Sequence, residues 1–361
     1  MIMASWVLAF IAAASPAGQI AYLSGADSGS LRVHVLDLES RTAVPVGPGQ
    51  SDGAPAWSPD GAWLAFATKR TDGMGIVLAR PDASETRAIA HTAAWNAFPQ
   101  WSPDGRLLAY ESGEGLTQRI VVYDIEGGNE TVWGGGAEGF MRPVWLPNHK
   151  LLYAINADPN VKSGTAAIDR LGSGPALVAA GVEKTPHGLS TGLFFMTSDS
   201  VVPVPQETLP SATGEYAEWF AAPSPNGLRL AFESNDGGDR ELFCYTHERA
   251  VDLSNHRTAD WNPVWSPDSR WLAFESFRGG RRGVYCVFVD TARVAPVVAS
   301  PDFDTWSPSW SPDGKWIAYV SNCTGDPEIH VCNLSGKDLI RVTDRLGPDY
   351  APVWRPKGQK K

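Results

Sequence analysis

The chain has 361 residues, a formal net charge of −10, 43% hydrophobic residues and many glycines, prolines and tryptophans, 36, 28 and 15 respectively. A core of ordinary size can be buried in one or two domains, and with no Lys or Arg run beyond the terminal KGQKK the acidic surface repels polyanions, which excludes nucleic acid as a partner class. No stretch repeats its apolar residues every 3.6 positions, so turns and strands dominate and the fold class is all-β.

The first fourteen residues, MIMASWVLAFIAAA, are apolar and end in the small residues Ala12, Ala13 and Ala14. They read as a secretory signal segment, with an extra β-strand packed on the core as the alternative, because no Lys or Arg precedes the apolar run. The segment falls short of the ~20 apolar residues of a membrane span, and no span is expected in the mature chain. Residues 15–361 are expected to form one domain.

From Ser15 onward the sequence repeats. Taking the tryptophan of WSPDG as a marker gives Trp57, Trp101, Trp145 (WLPN), Trp265, Trp310 and Trp354 (WRPKG), with Pro223 in register in APSPNG and Lys184 weakly so in KTPHG. Successive markers lie 39 to 45 residues apart, the period of a propeller with one four-stranded antiparallel blade per repeat. Ser-Pro-Asp-Gly is a tight turn: Pro presets φ, Asp suits the third position and Gly takes the left-handed conformation at the fourth. Strands of the type RWLAFES and KWIAYVS follow it, then a Gly/Asp-rich turn and a third strand such as ELFCYTH, GVYCVFVD or EIHVCNL. The motif tryptophan ends the innermost strand, where it can wedge between blades.

The two chain ends complement each other. SPAGQIAYLSG and RVHVLDLES look like the second and third strands of a blade without its innermost strand, and APVWRPKG is an innermost strand with no blade after it. Pairing the two closes the ring. Counting from a register position at residue 14 to Trp354 gives eight blades; seven follow if residues 145–222 form one blade with a long loop, as the irregular VPVPQETLPSATGEYAEW allows.

The repeat PxWSPDGxxIAF, seen best at Trp57, Trp101, Trp265 and Trp310, resembles the WD-like repeat of TolB-type propellers, also found in the propeller domains of prolyl oligopeptidase-type peptidases. Neither the extra N-terminal domain of the former nor the hydrolase domain of the latter is expected within these 361 residues. The resemblance implies the propeller fold, a bacterial periplasmic or secreted location, with a cytoplasmic one as the alternative, and a habit of binding proteins or peptides.

Catalytic signals are weak. GLSTG (Gly188 to Gly192) matches a hydrolase nucleophile pattern, but LFFMTS after it reads as a strand instead of the helix that chemistry needs. The seven histidines form no close ligand pair, there is no CxxC, and no metal or cofactor is expected. Asp60, Asp104, Asp268 and Asp313 recur as turn formers. Cys244 and Cys286 occupy the same place in successive repeats, on sheets ~10 Å apart, beyond the reach of a disulfide, so free thiols are expected.

One constellation remains. The position four before the marker reads Trp219, Trp261, Trp306 and Tyr350 in four successive repeats, and the position before it carries Asp52, Glu218, Asp260 and Asp349, with Asp304 displaced by one. Placed at the mouth of the central channel, aromatics backed by carboxylates make a binding surface. The expectation is a monomeric, non-catalytic propeller that binds a protein or peptide of the cell envelope. The alternative is a glycan-binding or glycan-cleaving propeller, with Asp260 and Asp304 as the carboxylate pair.

Overall fold

The computed structural model describes residues 15–26, 29–47, 51–71, 73–89, 95–113, 118–134, 139–148, 174–185, 188–204, 218–235, 238–245, 250–345 and 347–358, with backbone only at 183–185 and 188–190. Residues 1–14, and with them the signal segment and the register position at 14, lie outside the described residues, as do His91, His149, His187 and His247.

The described strands form seven four-stranded antiparallel sheets. Six of them run in chain order from the innermost strand outward. The innermost strands of blades 2 to 7 are Ala56–Trp57, Asn96–Trp101, Phe140–Trp145, Glu218–Pro223, Asp260–Trp265 and Thr305–Trp310. Blade 1 takes its second to fourth strands, Gln19–Ser24, Arg32–Asp37 and Thr42–Pro45, from the start of the chain and its innermost strand, Asp349–Trp354, from the end. Ile20 pairs with Trp354 and Ser24 with Asp349, so the ring closes as the sequence predicts.

The count is seven blades, not eight. Lys184 does not end an innermost strand; it pairs with Leu189 inside the long hairpin of Leu177–Thr185 and Gly188–Met196, the second and third strands of blade 4. The KTPHG segment that mimicked the repeat thus has Lys184 and Thr185 on the second strand of this blade and Gly188 on its third, paired with Thr185. The same pairing places Ser190 on a strand opposite Glu183, without a strand-to-helix elbow.

Seven apolar clusters sit one in each gap between neighbouring blades. Second and third strands supply them, because a sheet covered on both faces must be apolar along its whole length: Leu230 to Ser234, Glu241 to Tyr245 and Trp316 to Ser321 are buried at every position. The motif tryptophans stitch the gaps. Trp57, Trp101, Trp145, Trp265 and Trp310 each donate the indole Nε1–H to a carbonyl of the preceding innermost strand, that of Val353, Ala56, Gln100, Ala222 and Val264 in turn, at 2.7–3.1 Å.

The repeat turn is built as its residue types require. Ser58 Oγ donates to Asp60 Oδ1 and accepts from the Trp63 N–H, while Asp60 Oδ1 also accepts from the Ala62 N–H. Ser102/Asp104, Ser224/Asn226, Ser266/Asp268 and Ser311/Asp313 repeat the serine-to-side-chain bond. All four cysteines are free; Cys244, Cys286 and Cys332 are buried and Cys323 is exposed. Among the described residues no helix is long and apolar enough to cross a membrane, and no group of three or more His, Cys, Asp or Glu side chains could hold a metal ion.

Candidate functional site at the channel rim

Six of the seven innermost strands carry the same irregularity. Their pairing with the second strand slips between the residue four before the marker and the one just before it, and a residue within the slip takes a left-handed backbone: Phe98, Arg142, Phe220, Asn262, Ser307 and Ala351, with φ between 48° and 57°. Such bulges re-aim side chains where sheets end or sites are built. Here Phe98, Arg142, Phe220 and Asn262 line a cavity of about 490 Å³ at the axis, walled also by Pro143, Pro263, Pro308 and Pro352.

Strained non-glycine backbone needs a partner that holds it. In three blades that partner is a glutamate of the preceding second strand. Arg142 N–H donates to Glu111 at 2.6 Å, Asn262 N–H to Glu233 at 2.6 Å and Ser307 N–H to Glu275 at 2.9 Å. These glutamates, in the repeated AYES and AFES segments, are at most 2% exposed. Glu233 is ion-paired to Arg240 at 3.1 Å, and Glu275 accepts from Arg282 and from the Asn262 amide. Burial pushes the Glu233 carboxyl up to about 7, an effect the Glu275 charge reinforces and the Asn262 N–H and Arg240 oppose. Burial also raises Glu111.

The arginines join these acids to the predicted aromatics. Arg240 stacks at 4.8 Å from the Trp219 ring centre and Arg282 at 5.5 and 5.4 Å from Trp261 and Trp306, within cation–π range. Their side chains are 34% and 33% exposed, against 1% for each partner glutamate, so guanidinium and indole meet solvent while the acids do not. Arg142 lies 3.5 Å from the Phe98 ring centre and 4.8 Å from that of Phe220, which Arg240 also approaches, at 5.6 Å. Trp95 packs edge-on against Phe98 at 5.9 Å. The rim from blade 3 to blade 7 is thus a run of alternating rings and guanidiniums.

Trp219, Trp261, Trp306 and Tyr350 are all half-buried at equivalent positions on four successive innermost strands. Tyr350 packs into the apolar gaps on both sides of blade 1, and Trp261 also touches Phe277 at 5.3 Å. The acids predicted to back them are mostly fully buried between blades. Asp52 accepts from the Val33 N–H of the preceding blade at 3.0 Å and from Thr68 Oγ1 at 2.6 Å; Glu218 accepts from the Leu193 N–H at 3.2 Å. Thr305, at the same position in blade 7, does this for the Val284 N–H with its hydroxyl. Asp260 is bridged to Arg278 at 2.7 Å. Asp349 lies beside Ser24, Thr343 and Glu328, and burial pushes it up to about 6. Asp304, partly exposed, pairs with Arg281 at 3.3 Å and accepts from the Arg282 N–H.

The structure therefore sets Arg240 beside Trp219, Arg282 beside Trp261 and Trp306, and Arg142 beside Phe98 and Phe220, arginines that sequence reading missed; Asp52 and Glu218 clip neighbouring blades together, Asp260 pairs with Arg278 of its own blade, and Asp349 is buried beside Ser24 and Thr343. A signal was present: the second strands of three repeats carry a glutamate where an apolar residue is expected, as in RLLAYES and RWLAFES, and a charge in a strand between two sheets needs a partner.

A family model described as the TolB beta propeller domain matches residues 1–186. An uncharacterized protein of Agrobacterium fabrum is 31% identical over 147 residues, 37% of this chain and 50% of that protein, so the chain spans about half the length of the curated relative it matches. Among solved structures, the propeller domain of the Trilobed protease from Pyrococcus furiosus is similar with a TM-score of 0.65 at 13% identity, over 92% of this chain and 97% of that one. TolB from Acinetobacter baumannii is similar with a TM-score of 0.57 at 16% identity, over 94% of this chain and 67% of that one. Since the family model covers more than half of the sequence, the chain belongs to the TolB beta propeller domain family.

Proposed function

We propose that the protein is a non-catalytic binding propeller of the bacterial periplasm or cell exterior, and that it takes a protein or peptide segment at the rim formed by Trp219, Trp261, Trp306 and Tyr350. The observation that supports this reading is the exposure pattern. Trp219, Trp261 and Trp306 are half-buried and the Arg240 and Arg282 side chains are 34% and 33% exposed near an axial cavity of about 490 Å³, whereas the glutamates at most 2% exposed are held by N–H groups and arginines. Such a surface offers rigid contact area and donors, and its buried acids are ill placed to move protons to a substrate. Asp52, Glu218, Asp260, Asp304 and Asp349 serve it by fixing the blades that carry the aromatics.

The test is selection of peptides from a displayed library on the immobilised protein, repeated with W261A/W306A. The expected result is loss of the selected peptides from a protein that still unfolds cooperatively with a melting temperature only about 5 °C lower, since the two rings are half-buried and of the two only Trp306 packs against an inter-blade cluster. Equal loss of stability, or a library that yields no peptide, would count against the reading. A parallel screen of polysaccharides is expected to show neither binding nor turnover.

A further inference from the structure

The three central arginines differ in one respect. Arg240 and Arg282 are neutralised by Glu233 and Glu275. The third glutamate, Glu111, is instead held by the backbone N–H of Arg142 and by the Gln118 amide at 3.3 Å. Among the described residues, the Arg142 guanidinium has no carboxylate within ion-pair distance and its contacts are the Phe98 and Phe220 rings. Glu111 and Glu233 act on it only at longer range.

This guanidinium sits at the cavity wall. Both rings lie close to the guanidinium carbon, at 3.5 and 4.8 Å; stacking on rings takes up no N–H donor, so the N–H groups stay available to an in-plane acceptor, the geometry in which arginine binds carboxylate with two parallel bonds. The rest of the wall suits an extended chain beside that charge. Pro143, Pro263, Pro308 and Pro352 give apolar surface with no N–H of their own, and Gln100 and Asn262, whose amide donates to Glu275, add polar groups to it. The neighbouring glutamates set the charge of the ligand: a monoanion satisfies Arg142, while a dianion would face Glu111 and Glu233 across a low-dielectric space.

We infer that the channel contains a carboxylate subsite, in which the Arg142 guanidinium, beside Phe98 and Phe220, pairs with one carboxylate of an acidic or C-terminal peptide segment. The peptide origin of that carboxylate rests on the proposed function; the subsite itself does not.

The experiment titrates the full chain by calorimetry with N-acetylphenylalanine, its amide, galacturonate and inorganic phosphate. N-acetylphenylalanine is expected to bind at least about tenfold tighter than the amide or phosphate, the margin of one charge-assisted bidentate pair. R142Q is expected to erase the difference between acid and amide and R142K to retain part of it. R142Q keeps the backbone N–H that holds Glu111, and the comparison of acid with amide on the parent protein needs no variant. Equal binding of acid and amide, a difference that survives in R142Q, or tighter binding of phosphate would overturn the subsite. Tighter binding of galacturonate than of N-acetylphenylalanine would overturn the peptide origin. The two readings fail separately: library peptides that bind R142Q unchanged overturn the subsite alone, and an empty library with preserved acid binding overturns the peptide reading alone.

Discussion

Removing the Glu275 carboxylate tests how the rim is held. Glu275 is 1% exposed; its Oε1 accepts from Ser307 N–H at 2.9 Å and the Asn262 amide at 2.8 Å, and its Oε2 holds Arg282. Glu275→Ala leaves a buried N–H at a left-handed residue without an acceptor and a guanidinium without its counter-charge. Breaking a buried, hydrogen-bonded pair from one side costs about 3–5 kcal/mol; the partial exposure of Arg282 lets water recover some of this, so about 3 kcal/mol is expected. Glu275→Gln keeps an acceptor for Ser307 and should cost about 1–2 kcal/mol. With an unfolding entropy of about 2.1 cal/mol/K per residue, the Ala variant should melt roughly 4 °C lower. Urea unfolding followed by tryptophan fluorescence measures the stability, and Arg282→Ala with the double variant completes a cycle in which the double loss is smaller than the sum. An Ala variant within about 0.5 kcal/mol of the parent, or strict additivity, would refute the view that this acid fixes the bulge and the arginine.

The inter-blade indole bond gives a simpler case: Trp101→Phe keeps the ring but loses the 3.1 Å bond to Ala56, and urea unfolding should show a loss of about 1 kcal/mol. The repeat turn is tested by Asp104→Ala, which removes the acceptor of Ser102 Oγ and the Arg106 N–H and should cost about 0.5–2 kcal/mol by the same assay, as loss of a comparable side-chain cap does. The buried acids predict an unusual pH profile. Burial raises Glu233 to about 7, Glu241 to about 8 and Asp349 to about 6, so the folded state holds these protons more tightly than the unfolded chain. The stability they contribute is fully present below the ordinary carboxylate range and lost as pH rises through 6 to 8, up to roughly 3 kcal/mol for Glu233 alone. The turn acids Asp60, Asp104 and Asp313 are lowered by their hydroxyl and N–H partners and act in the opposite sense below about pH 4. Melting temperature should therefore peak near pH 5 and fall toward pH 8.5; a flat profile between those values would contradict the burial of the three acids.

What could be read from the sequence was whatever local chemistry repeats. Ser-Pro-Asp-Gly needs only its own residues to form, so the turns, the strands after them and the pairing of the last strand with the first followed from the sequence, while the register that sets Ile20 opposite Trp354 did not. Blade 4 departs from the expected register because KTPHG resembles the repeat motif in sequence alone; the pairing of Lys184 with Leu189 puts Lys184 on a second strand instead of at the end of an innermost one. The rim was half legible. A period of one blade reveals which residues share a level, and so finds Trp219, Trp261 and Trp306. It does not reveal partners from the neighbouring blade, which is where Glu111, Glu233 and Glu275 find the N–H groups they hold.

The same distinction bears on why the acids and aromatics divide the work as they do. A carboxylate at the start of an innermost strand faces the unpaired third-strand N–H of the preceding blade, and Asp52 and Glu218 close that gap, which Thr305 closes with a hydroxyl. Any acceptor suffices there, so the position varies without disturbing the ring. The second-strand glutamates are different, because each must satisfy a left-handed N–H, and two of the three also balance a guanidinium that stacks on a rim indole. Blades 3, 5 and 6 carry them, and Ala67, Ala180 and Val320 stand at the corresponding place in blades 2, 4 and 7. A ring built from one repeated module thus becomes polar along one arc only, and the arc where acids, arginines and indoles coincide is where a partner would meet both a flat face and a charge.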